Sequence, residues 1–181
     1  YTTDNEGKLQ VFILPDSYTV NVTTSVSTEL GSRGVFTQWS DFITSNPRTI
    51  LINGKLTLEA EYETQYYLVV NTNPSGLTPH PVINPSGETW YKNGTTVICT
   101  AQEISDYVFD HWTVDGASRG HGDNQIDITM NMPHNATAYY MPPPAWWQTF
   151  LRPEILQVIL GFVGIVLTIA FVVPAWVRTR R

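Results

Sequence analysis

The chain has 181 residues, room for one or two small domains, and 42% of them are hydrophobic while only 14% are charged. Its net charge of −6 is uneven: residues 1–150 are strongly acidic, and the last 31 carry four arginines against one glutamate. An acidic body excludes nucleic-acid binding, which needs basic surface, and a single cysteine, Cys99, excludes an intrachain disulfide and any Cys-rich zinc site.

The chain opens on Tyr1 rather than Met, so an upstream segment, with room for a signal peptide, is expected. Period-two alternation then dominates. "YTVNVTT" (18–24) is rich in β-branched and aromatic residues and reads as a strand. Asn53-Gly54, between "RTILI" and "KLTLEAEY", is expected to turn a tight hairpin, since both residues tolerate positive φ. In "LTLEAEYE" (56–63), Leu56, Leu58, Ala60 and Tyr62 share one face, while Glu59, Glu61 and Glu63 form a solvated acidic edge on the other. "YYLVVNT" (66–72) and "TTVICTA" (95–101) are further strands. "IDITMNM" (126–132) alternates again, with Ile126, Ile128, Met130 and Met132 on one face.

A block repeats. "VFTQWS" (35–40) returns as "VFDHWT" (108–113), and "NPRTILINGKLTLEAEY" (46–62) lies without gaps over "NQIDITMNMPHNATAYY" (124–140). The strands repeat while the loop between them varies in length, which is how a packing unit diverges. Units of this size have marginal cores and need large side chains to close them. Phe36 with Trp39, and Phe109 with Trp112, are the expected core anchors; exposed sugar-stacking platforms are the alternative for these rings.

Clustered catalytic chemistry is missing from the sequence. His80, His111, His121 and His134 are scattered, with no zinc-hydrolase spacing, and no nucleophile elbow, phosphate loop or dinucleotide fingerprint occurs. Asp115, Asp123 and Asp127 offer calcium oxygens but lack the D-x-D-x-D-G loop. Cys99 reads as a small buried hydrophobe. No cofactor, metal site or catalytic residue is therefore expected. Three sequons, at Asn21, Asn93 and Asn135, are candidate glycosylation sites on an outward-facing body.

"MPPPAWW" (141–147) is a short, stiff spacer. From Ile155 to Val173 no residue is charged; as a helix these 19 residues span about 28 Å, the thickness of a bilayer core. Trp146, Trp147 and Trp176 stand where interfacial aromatics belong, and Arg178, Arg180 and Arg181 follow. The positive-inside rule then keeps the C-terminus cytoplasmic and the body outside. Gly161 and Gly164 are three apart, so specific helix pairing is not expected.

The second unit resembles the divergent internalin-type B-repeat domains of bacterial and archaeal surface proteins. The resemblance runs through "YYLVVNTNPSG" (66–76), "GETWYKNGTTVICTA" (87–101), "YVFDHWTVDG" (107–116) and "NQIDITMNMPHNATAYY". It covers residues 66–141, and in part 35–62. The start, "YTTDNEGKLQVFILPDSYTVNV", is similar instead to the opening hairpin of carboxypeptidase-regulatory-like β-domains. The resemblance implies small β domains in tandem on exported, surface-anchored proteins, and no catalytic residues; no Leu-Pro-x-Thr-Gly sorting signal precedes the apolar segment, which is then itself the anchor.

The expected architecture is all-β: two small tandem antiparallel β domains followed by one C-terminal transmembrane α-helix. Its parts are a first β domain (1–63), a second (64–141), a Pro/Trp-rich linker (142–154), a transmembrane helix (155–177) and a basic tail (178–181). The expected function is a single-pass, membrane-anchored stalk or adhesion module at the cell surface. Its expected partners are the lipid bilayer and surface glycans or other envelope proteins, with no nucleic acid. The alternative is a carbohydrate- or protein-binding module using Trp90, Tyr91 and the 115–124 loop. An exported enzyme, its catalytic part lying upstream, is the third possibility.

Overall fold

The computed structural model describes residues 7–86, 89–119 and 122–144. The expected span at 155–177 and its flanking Trp146, Trp147, Trp176, Arg178, Arg180 and Arg181 lie outside them. Among the described residues no helix is long and apolar enough to cross a membrane.

The described residues form twelve strands and no helix: β1 (Asp16–Val20), β2 (Ser25–Glu29), β3 (Ser32–Trp39), β4 (Arg48–Ile52), β5 (Ala60–Asn73), β6 (Val82–Asn84), β7 (Trp90–Lys92), β8 (Thr96–Thr100), β9 (Val108–Val114), β10 (Ala117–Arg119), β11 (Gln125–Thr129) and β12 (His134–Met141). They make one seven-stranded sheet, β10-β9-β12-β5-β3-β2 with β7 also on β5, and two small sheets, β1-β4 and β11-β8-β6. In the second unit, the apolar faces of β9, β12 and β5 pack on those of β8 and β11. Leu68, Trp112, Val114, Ala136, Ala138 and Tyr140 on one side meet Val97, Cys99, Ile126 and Ile128 on the other. Met130 closes the end of this core, fully buried, while Met132, expected on the same face, is exposed beyond the end of β11.

The repeated block buries its tryptophan in both copies, and the ladder partners repeat position for position. Trp39 of β3 lies opposite Ala60 of β5, and Trp112 of β9 lies opposite Ala138 of β12. Phe36 lies opposite Tyr62, and Phe109 opposite Tyr140. The ring pairs repeat as well, Phe36–Tyr62 at 5.9 Å and 76°, Phe109–Tyr140 at 5.6 Å and 79°. These edge-to-face contacts place one ring's positive edge against the other's negative face. Each indole is buried, Trp39 at 4% exposure and Trp112 at 0%. Each donates its Nε1–H to a loop carbonyl, of Ser45 (2.9 Å) or Asn124 (3.1 Å), so neither indole nitrogen is left unsatisfied on burial. An alanine across the ladder leaves the space that an indole needs.

Three expectations change. The first concerns Asn53-Gly54, which turns no hairpin: β4 pairs with β1 (Tyr18 opposite Ile50), and the chain reaches β5 only at Ala60. In this arrangement Arg48 of β4 lies over the Trp39 ring, 5.8 Å from its centroid. The tight two-residue turns are Leu30-Gly31 and Asp115-Gly116. The latter has positive φ at both residues (52° and 80°), which matches the right-handed twist of its strands. Leu56 and Tyr62, expected inward, are also substantially exposed.

The second concerns the boundary at 63/64, which falls inside β5, a continuous 14-residue strand. Ala60–Tyr66 pairs antiparallel with β3 of the first unit, and Leu68–Asn73 pairs with β12 of the second. The two units share a strand rather than a linker. No glycine or proline stands between Lys55 and Asn73 to break it.

Third, the architecture is not wholly antiparallel, because β12 runs parallel to β5. β3 and β12 meet end to end along one edge of β5. At their junction Gly31 (φ +75°) abuts Pro133, and an added Cβ would lie 2.8 Å from the Pro133 Cβ.

Trp112→Ala is expected to cost about 3–5 kcal/mol, the range for emptying a large aromatic site, read from urea unfolding. Gly31→Ala is expected to cost about 1–2 kcal/mol from the left-handed backbone alone, and more because the methyl has no space. Burial pushes the Cys99 thiol up to about 11. At pH 8 iodoacetamide should therefore leave the native chain unmodified and label it readily in urea. The stability gained by keeping this thiol neutral is complete below its ordinary value of 9 and fades as pH rises toward 11.

Candidate interaction surface at the seam between the units

Where β5 passes from one unit to the next, it is paired on both edges. Gln65 and Tyr66 face Arg33 and Ser32 of β3 on one side, and Lys92 and Tyr91 of β7 on the other; Tyr67 faces Trp90. Strand alternation then sorts the side chains by face. Ser32, Tyr66, Tyr91 and Leu68 turn inward, and Arg33, Gln65, Tyr67, Trp90 and Lys92 turn outward.

Trp90 and Tyr91, adjacent candidates for ligand contact, therefore part company. Tyr91 is 2% exposed, and its hydroxyl donates to the Pro85 carbonyl at 3.1 Å. It is a core residue of the second unit and presents no surface, which corrects its assignment as a contact residue. Trp90 stands half-buried on the outer face. The Arg33 guanidinium lies over its ring, 4.5 Å from the centroid, and Tyr67 leans against it at 5.1 Å. Arg33 is fixed in turn by Nε and Nη2, which donate to Gln65 Oε1 at 3.0 and 2.7 Å. Lys92 pairs with Glu63 one step along β5. This ladder ties β3, β5 and β7 laterally across the seam. Each exposed cation–π or ion pair of this kind contributes at most about 1 kcal/mol, so its value lies in fixing register rather than in bulk stability.

The acidic edge is partly occupied. Glu63 holds Lys92, and Glu61 accepts from Gln38 Nε2 at 2.7 Å. On the first unit Arg48 grips Asp41 through both guanidinium nitrogens (2.6 and 2.7 Å), which holds that carboxyl below the usual carboxylate range.

The aspartates considered for calcium have separate tasks. Asp115 Oδ2 meets His134 Nδ1 at 2.6 Å, and its Oδ1 accepts the Asn135 N–H at 2.9 Å, clamping the β9–β10 turn to the start of β12. Asp123 accepts the Gln125 N–H at 3.3 Å, and Asp127 lies on the exposed face of β11. Among the described residues no three His, Cys, Asp or Glu side chains gather around a common point. His111 stacks on Tyr139 at 4.7 Å, and His121 lies outside the described residues. The sequon residues Asn21, Asn93 and Asn135 are all exposed.

Arg33, Gln65 and Tyr67 were not legible as site residues. They lie in different units, and only the pairing of β3 and β7 on opposite edges of one strand brings them together. The doubled tyrosine Tyr66-Tyr67 was the available signal, one ring for each face of a strand.

No curated protein and no solved structure matches the chain. A family model does: that of the divergent InlB B-repeat domain, over residues 80–143. The match covers β6 to β12, the part of the second unit that follows the shared strand. Residues 80–143 thus match the divergent InlB B-repeat domain, and β5 joins them to a second β unit that repeats their aromatic core.

Proposed function

We propose that the chain is a membrane-anchored cell-surface protein in which the tandem β units form a stalk or adhesion module close to the bilayer, with no catalytic role in this segment. The observation that carries this reading is β5. A strand of 14 residues spans about 45 Å at 3.3 Å per residue and belongs to both units. Such a strand makes a stiff join where a flexible linker would let the units swing, and stiffness is what a spacer needs. Supporting it are the B-repeat match, the uncharged run from Ile155 to Val173 and the arginines beyond it. The exposed sequons agree with an outward-facing body.

The second reading is a module that binds carbohydrate or protein. It is favoured by the position of Trp90 on the solvent side of the seam, beside Arg33 and Lys92. Arg33 already stacks on that ring, so a sugar would have to displace it. A glycan array distinguishes the two: saturable binding lost in Trp90→Ala, with the near-ultraviolet circular dichroism kept, would place function at the seam.

For the anchored stalk, the full chain expressed in cells is expected to stay in the membrane pellet after an alkaline carbonate wash. Protease added outside intact cells should remove the β body and leave a small C-terminal fragment. Extraction by carbonate, or a body untouched until the cells are lysed, would contradict the reading.

A further inference from the structure

The two units solve the same packing problem to different degrees, and the difference lies at one edge. In the second unit β12 is covered on both sides, by β9 antiparallel and by the second half of β5 parallel. Its inward residues are buried accordingly: Ala136 and Ala138 completely, and Tyr140 to 5% exposure. The equivalent residues of the first unit are Leu58, Ala60 and Tyr62. Leu58 and Ala60 are only half-buried, and Tyr62 is 39% exposed. β3 covers one edge of this stretch just as β9 covers β12. On the other edge β7 reaches only Gln65–Tyr67, and among the described residues no strand pairs with 58–63.

The backbone of that edge is aimed outward. The Leu68 N–H donates to Thr89, and the Thr64 carbonyl accepts from Asn93, both on the β7 side, while the Tyr67 N–H donates to Gly31 on the β3 side. Alternation therefore turns the N–H and C=O of Ala60 and Tyr62 toward the uncovered edge. Unpaired strand edges of this kind are templates for an added strand.

We propose that the uncovered edge at residues 58–63, where the chain enters β5, receives a parallel β-strand from another unit of the same family, as β12 receives the second half of β5. The internal repeat supplies the occupant's chemistry. On β12 the strand seated in parallel is "LVVNTN" (68–73), with Val70 opposite Ala136 and Thr72 opposite Ala138. The incoming strand is thus an extended segment with small or branched apolar residues at every second position, turned toward Leu58 and Ala60. It reaches the edge as β5 does, by running on from the closing strand of a neighbouring unit. Units would then add end to end, each completing the next one's core. The inference rests on strand pairing and not on the membrane placement, so either can fail without the other.

The test uses a fluorescein-labelled peptide of residues 66–73 and the full chain in detergent micelles, read by fluorescence anisotropy. The expected result is saturable binding, absent for a peptide carrying Leu68→Lys and Val70→Lys, and weakened at least tenfold by Ala60→Pro in the chain. That substitution removes an N–H on the uncovered edge and leaves the β3 ladder intact. No saturable binding, equal binding of the Lys-substituted peptide, or undiminished binding by a folded Ala60→Pro chain would overturn the proposal. Should Ala60→Pro fail to fold, the comparison of the two peptides decides. Binding that appears only after removal of residues 1–15 would also overturn it, by assigning the edge to the chain's own N-terminal segment.

Discussion

A buried indole, with an alanine across the ladder and a phenylalanine–tyrosine pair beside it, is the contact on which both units depend. Without a disulfide, a β unit of this size has little else with which to exclude water. The indole supplies the area, the alanine supplies the room, and the loop carbonyl satisfies the one polar atom. Because all three recur at matching positions, the repeat is a repeat of a packing solution and not of a reactive group. The same pattern extends into the turn that follows. Phe42 and Asp115, each three residues beyond its tryptophan, both adopt positive φ (65° and 52° respectively). Aspartate tolerates that conformation better than phenylalanine does.

The shared strand follows from the same economy. If the closing strand of one unit ended at a linker, the next would have to start its own edge strand and order it separately. Continuing straight through places Tyr62 against Phe36 in one unit and Leu68 in the core of the other, with no intervening loop to order. The outer ladder of Arg33, Gln65, Trp90 and Lys92 then fixes the register at which the units meet. Gly31 is the geometric condition for the join, since only a residue without a side chain lets the start of β3 approach the start of β12 so closely.

Much of this was written in local pattern. The alternation of Ile126, Ile128 and Met130 gave a strand with a buried face, and the paired Phe/Trp blocks gave both cores. The B-repeat resemblance at 66–141 overlaps the family match at 80–143. What local pattern could not give was partnership. Asn53-Gly54 has the chemistry of a hairpin turn, but β4 pairs with the distant β1 instead. The alternation from Leu56 to Glu63 is real, yet burial depends on a neighbouring strand that the second unit has and the first lacks. Trp90 and Tyr91 are adjacent in sequence and opposite in fate, because a strand turns successive side chains to opposite faces.

The join between the units is the continuity of β5, and hydrogen exchange reads it directly. Measured by mass spectrometry on the native chain, peptides spanning residues 63–68 should exchange slowly, as part of the same protected segment as residues 69–73. Rapid exchange at 63–68 between two protected regions would mean a linker between independent domains, and the shared strand would be wrong.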